Sequence, residues 1–183
     1  MAASRKVAYF AYGSNMDSAT LRDRRSVQWS RAMPACAKGW RLVIRKPSLL
    51  GGVAGAMANI LCDADSEVWG VLFEITHEEL EHLELTEGVK IGHYKRTEVL
   101  VEPAGNWNDG ARSPVRAVTL SSDAGDAALR PTPRYMDLLV AGAAEHGLPE
   151  AWIATLRAFE TAEATADEAA IRAFLDNAMK KPT

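Results

Sequence analysis

Apolar residues fall in short blocks through the first two thirds of the chain and at helical spacing through the last third. Six blocks have the length and the β-branched or aromatic content of strands, at residues 7–12, 40–45, 56–63, 67–74, 94–101 and 115–121. After Trp69-Gly70, Thr76 and Glu79 form a capping-box pair, Leu80 and Leu83 mark a buried helix face, and Gly88 closes the helix. Later, Thr132-Pro133 sets a cap and a first-turn proline ahead of Tyr135, Met136, Leu138 and Leu139, and Gly147 stops that helix. Pro149 starts another through Trp152, Ile153, Leu156 and Phe159. A last helix is predicted over 167–180, with Ile171, Phe174 and Leu175 at helical spacing and Lys180-Lys181 at the negative end of its dipole. Strands come largely first and helices after, which is an α+β pattern rather than the regular alternation of a doubly wound sheet.

Length and composition add bounds. The 183 residues, 48% of them hydrophobic, suit one core and one domain spanning 1–183, with its C-terminal helices at about 132–180. A net charge of -3 without any basic stripe argues against nucleic acid or an anionic membrane as partner. The N-terminus enters a strand-like run directly, and no apolar run reaches the roughly 18 residues of a membrane span, so the cytoplasm is the expected compartment. Cys36 and Cys62 are too few for a disulfide framework and read as small buried hydrophobes. Residues 103–114, rich in Gly, Asn and Asp, read as a surface loop.

Two places carry candidate chemistry. Tyr12-Gly13-Ser14-Asn15 ends the first apolar block, and a helix opening near Asp17 or Ser18 would aim free N–H groups at a small carboxylate or phosphate. The same residues also suit an ordinary turn between strand and helix. The second is Glu87, at the C-terminal end of the acidic helix, where a negative charge opposes the helix dipole and makes it a candidate general acid/base. The other carboxylates there, Glu78, Glu79, Glu81 and Glu84, read as a solvated face. Ser14 lacks the G-x-S-x-G elbow of a nucleophile, and His77 and His82 miss the i, i+4 spacing of a zinc helix, so no metal and no cofactor is expected.

Taken together, Tyr9-Phe10-Ala11-Tyr12-Gly13-Ser14-Asn15-Met16, Glu67-Val68-Trp69-Gly70-Val71, Glu87-Gly88-Val89 with Tyr94, Thr132-Pro133-Arg134-Tyr135 and Glu145-His146-Gly147-Leu148-Pro149 resemble the γ-glutamylcyclotransferase family in order and spacing. The likeness runs to about Glu160. It implies a mixed β-barrel with flanking helices and an enzyme that releases 5-oxoproline from a small-molecule γ-glutamyl substrate. It also implies that Tyr9, Phe10, Ala11, Tyr12, Gly13, Ser14 and Asn15 hold the glutamyl group, that Glu87 is the general acid/base, and that Tyr94 and Tyr135 line the pocket. Tyr-Gly-Ser-Asn is closer to the enzymes of γ-glutamyl amino acids than to the glutathione-specific branch. The chain departs from the pattern at Met16, where leucine is usual, and in the stretch 51–60, which leaves the acceptor open: an amino acid, a peptide, or a biosynthetic amine carrying a γ-glutamyl protecting group. A γ-glutamyl-binding module without catalysis is the alternative, and a homodimer stays open.

Overall fold

A computed structural model describes residues 5–48, 55–107 and 114–162. Five strands close into a barrel: β1 (Lys6–Ala11), β2 (Arg31–Pro47), β3 (Ala56–Thr76), β4 (Lys95–Pro103) and β5 (Val115–Ser121), in the spatial order β1-β3-β2-β4-β5. β1 runs antiparallel to β3, from Lys6 opposite Thr76 to Ala11 opposite Val71, and parallel to β5 at Tyr9 opposite Val118. That single parallel seam makes the barrel mixed, as expected.

Two sequence expectations are corrected. β2 begins at Arg31 rather than at residue 40, and the two blocks at 56–63 and 67–74 are one long strand, β3. The mainly polar run Asp63, Ala64, Asp65 and Ser66 looks like a turn in sequence. They form instead a bulge opposite Gly39, since Trp40 pairs with Cys62 while Lys38 pairs with Glu67. Cys62 lies beside that bulge and is exposed, whereas Cys36 is buried, so only Cys36 behaves as the small core residue expected of both.

The helices flank the barrel. Helix α1 (His77–Thr86) starts at the capping box read in the sequence: Thr76 Oγ1 accepts from Glu79 N–H at 3.2 Å, and Thr76 N–H donates to Glu79 Oε2 at 2.8 Å. It stops at Gly88, whose φ of 71° lies in the left-handed region that glycine enters without strain. Helix α2 (Pro133–Glu145) is capped by Thr132, and α3 (Glu150–Arg157) follows Pro149. The helix expected over 167–180 lies outside the described residues, as do residues 51–54 of the altered stretch and 108–113 of the loop. Among the described residues no helix is long and apolar enough to cross a membrane.

The core on the two faces of the barrel wall includes Phe10, Leu72, Phe73, Ile60 and Val71, all essentially buried. Each large side chain of this kind contributes about 1.5–3 kcal/mol by leaving water. Close contacts between elements then set where the ends of the strands point. A Cβ on Gly70 would lie 2.3 Å from the Ala11 carbonyl oxygen, and one on Gly142 would lie 2.5 Å from the Asp17 nitrogen. Gly142 therefore lets α2 press its backbone onto the segment that follows β1, which is where the candidate chemistry lies.

Candidate active site

β1 delivers the chain to a turn at the mouth of the barrel. Tyr9 is the last residue of β1 to reach the cleft, Tyr12 and Gly13 leave the strand, and Ser14–Met16 form one 3-10 turn closed by the Met16 N–H to the Gly13 carbonyl at 3.0 Å. The helical turn expected near Asp17 or Ser18 exists, and it continues as a π-type turn over Thr20–Arg24. Its first amides are already engaged: Ser18 N–H donates to Glu145 Oε2 at 3.2 Å and Thr20 N–H to Asp17 Oδ1 at 2.7 Å. Gly13, Ser14 and Asn15, upstream of the helix, line the cleft.

The role of Gly13 is also different from a sharp glycine turn. Its φ of -115° is open to any residue. What the site needs is room, because a Cβ there would meet the Ala58 Cβ at 3.3 Å and the Tyr135 hydroxyl at 3.4 Å.

Tyr9, Tyr12, Gly13, Ser14, Asn15, Glu87, Tyr94 and Tyr135 line one cleft together with Met57, Ala58 and Leu120. Four elements and two connecting segments thus converge there. Phe10 and Ala11 do not line it: both are core residues, and the Phe10 ring packs against Gly70. A wider groove of about 450 Å³, bordered by Arg41, Arg45, Arg130 and Phe159, lies elsewhere and contains none of these groups.

Glu87 is the acid of the cleft. It is the C-cap of α1, its side chain is 13% exposed, and its Oε1 accepts from Asn15 Nδ2 at 2.9 Å and pairs with Arg25 Nη2 at 3.1 Å. A carboxylate can only accept, so the Asn15 atom facing it is the amide nitrogen. That nitrogen also donates to the Tyr9 hydroxyl at 3.1 Å. Two consequences follow for a ligand. Glu87 Oε2 receives no hydrogen bond from the described residues, and Asn15 Oδ1 is buried without a donor. A buried acceptor with no partner costs roughly 1–3 kcal/mol, which a ligand donor would recover.

The tyrosines form the opposite wall and share one peptide unit. Tyr135 Oη accepts from the Ala58 N–H at 2.9 Å, while Tyr94 Oη donates to the Ala58 carbonyl at 2.9 Å. Tyr12 Oη donates to the Leu120 carbonyl. Burial pushes the Tyr135 phenol up to about 12 and holds those of Tyr9, Tyr12 and Tyr94 well above the ordinary tyrosine value. All four therefore remain neutral at physiological pH and act through hydrogen bonds and shape.

Sequence reasoning missed Arg25, Met57, Ala58 and Leu120. Arg25 belongs to the run Arg22-Asp23-Arg24-Arg25, which reads as solvated charge, and Ala58 contributes its backbone, which leaves no signal in side-chain chemistry. Among the described residues, no three His, Cys, Asp or Glu side chains cluster closely enough to hold a metal ion.

Comparison with known proteins places the chain in a family. A family profile described as AIG2-like matches residues 67–156. The chain is 30% identical over 145 residues to a gamma-glutamylcyclotransferase of Bos taurus, covering 77% of this chain and 72% of that protein. It is 28% identical over 160 residues to one of Mus musculus, covering 85% of this chain and 79% of that protein. A solved structure named gamma-glutamyl cyclotransferase superposes with a TM-score of 0.76 at 25% identity, covering 92% of this chain and 99% of that one. With the same barrel and most of its length in common with these proteins, the chain belongs to the γ-glutamylcyclotransferase, or AIG2-like, family.

Proposed function

We propose that the protein is a γ-glutamylcyclotransferase that closes a γ-glutamyl amide into 5-oxoproline and releases the acceptor amine. The observation that carries this reading is the pairing of one held and one open carboxylate oxygen on Glu87, in the same cleft as the 13–15 turn.

The substrate brings its own nucleophile. Its α-nitrogen attacks the γ-carbonyl carbon, the new C–N bond closes a five-membered lactam, and the old amide C–N bond breaks. Of the three ammonium protons, one stays on the lactam nitrogen and two end on the departing nitrogen, which leaves as an ammonium group. Glu87 Oε2 is the carrier, worth roughly 10²–10⁴ in rate. Asn15 and Arg25 hold its other oxygen and so fix its direction. Asn15 Oδ1 accepts from the substrate's α-ammonium, and the amides of the 13–15 turn take the α-carboxylate. Holding the chain folded is the larger contribution, since intramolecular attack carries an effective molarity of about 10⁵ M or more.

Incubating the purified protein with γ-glutamyl-alanine and following 5-oxoproline tests the reading. Formation of 5-oxoproline with release of alanine is the expected result. Binding of the substrate without 5-oxoproline would mean a binding module, and the reading would fall.

A further inference from the structure

Lys46 is a charge that the chemistry above does not use. It is 1% exposed, and its Nζ lies 2.8–2.9 Å from the two ring nitrogens of His93, 3.2 Å from the Pro47 carbonyl and 4.4 Å from the centre of the Tyr94 ring. Among the described residues no carboxylate pairs with it, although Glu87 lies near enough for the two charges to interact. Burying an ammonium without a carboxylate is costly, and proteins tolerate it where the charge has a use.

Its placement is built into the strand. Ile44 pairs with Ala58 and Lys46 pairs with Met57, so Arg45 is an extra residue in β2. This bulge brings Lys46 level with Met57, a residue of the cleft wall, and beside Tyr94, another. Bulges next to functional sites commonly re-aim a side chain in this way. His93 is kept neutral, its proton affinity lowered by burial and by Lys46 itself, so the amine is held by neutral groups that an anion can displace.

The charges then call for a particular ligand. Arg25 and Glu87 compensate each other, and Lys46, buried behind the cleft wall against Tyr94, adds one positive charge beside the cleft. A γ-glutamyl amino acid carries one ammonium and two carboxylates, whereas a γ-glutamyl amine carries one of each. The 13–15 turn accounts for only one carboxylate. We propose that Lys46 recognises the carboxylate of the departing acceptor, and that this residue commits the enzyme to γ-glutamyl amino acids and peptides rather than γ-glutamyl amines. The inference rests on the cyclotransferase reading.

The test compares kcat/KM for γ-glutamyl-alanine and γ-glutamyl-ethylamide, which differ by the acceptor carboxylate alone. The parent prefers the alanine compound by about tenfold or more, the scale of one charged contact. Lys46→Met lowers kcat/KM for γ-glutamyl-alanine by at least about tenfold, mainly through KM, and leaves the ethylamide within about a factor of two. Lys46→Arg keeps the preference. In the parent, the same preference declines from pH 7 to 9.5 as the amine loses its proton, because the substrates' shared α-ammonium cancels from the ratio while burial lowers His93 from its ordinary value and holds Tyr94 well above the ordinary tyrosine value. If Lys46→Met does not fold, this pH dependence decides alone. Equal losses on both substrates, or a preference that ignores both the substitution and the pH, would overturn the inference while leaving cyclisation intact. A parent that cyclises neither substrate removes the underlying reading and this inference with it.

Discussion

Asn15 and Glu87 lie 72 positions apart in the chain and meet at 2.9 Å, joining the turn after β1 to the end of α1. The contact leaves each with one free oxygen, on the side chain that accepts and on the one that carries protons. Asn15→Asp should therefore be worse than Asn15→Ala. It sets two carboxylates against each other where the parent has a donor and an acceptor, and like charges at this distance oppose joint ionisation. Steady-state turnover of γ-glutamyl-alanine by the two variants checks the order, and equal activity would argue against the contact.

Under the proposed function, Glu87→Gln deletes the proton carrier at nearly constant shape. Turnover should fall by roughly 10²-fold or more with little change in KM or melting temperature. Activity within a few-fold of the parent would move the role to another group.

Arg25 holds the same Glu87 oxygen as Asn15, at 3.1 Å and with its own side chain 24% exposed. Arg25→Met should lower kcat by on the order of tenfold, since one held oxygen then relies on Asn15 alone. Arg25→Lys should restore part of it, because lysine supplies the charge without the fixed fork. A kcat equal to the parent's in both variants would show that Glu87 needs no such support.

The fold was legible wherever a local rule decided it. Thr76 with Glu79, Gly88 and Thr132-Pro133 each fix a helix end by contacts within a few residues, and the structure has those ends. The joining of two blocks into β3 was not legible, because it depends on what lies across from Asp63 to Ser66, and Gly39 opposite them is set by pairing rather than by sequence. The site divides in the same way. Tyr12, Ser14 and Glu87 announce themselves through turn chemistry and helix position. Lys46 and Arg25 are placed by a bulge and by the end of a π-type turn, and neither device has a readable spacing.

Gly142→Ala should damage the site from outside it. The added carbon would meet the Asp17 nitrogen and the Met16 carbonyl carbon at 2.5 and 2.6 Å, so α2 must move off the turn. Overpacking of this kind costs about 1–3 kcal/mol. A lower melting temperature together with a raised KM is the expected result, whereas a lower melting temperature with unchanged KM would show that α2 does not position the turn.

Lys46 also predicts how stability varies with pH. Burial lowers its amine to about 8, with Glu87 pulling weakly the other way, so the folded chain binds this proton less tightly than the unfolded one. The group therefore destabilises the fold fully below about pH 8, and that penalty fades as the pH rises toward the unfolded lysine value of about 10.4. Thermal melts of the parent and Lys46→Met should converge between pH 8 and 10.4, with the variant the more stable at the acid end. A constant difference across the range would contradict this.

The barrel closes through its first strand. β1 meets β3 at Lys6 and Thr76 and β5 at Tyr9 and Val118, so the barrel cannot close until β5, at Val115–Ser121, has been made. Pairings of such long range are slow to form. Helices α1 and α2 are made of contacts between near neighbours, and they are expected to gain structure before that closure. During refolding from denaturant, the helical circular-dichroism signal should recover before 5-oxoproline production. The interval between them is the time β1 takes to find both neighbours, so an enzyme assay would here serve as a clock for the final step of folding.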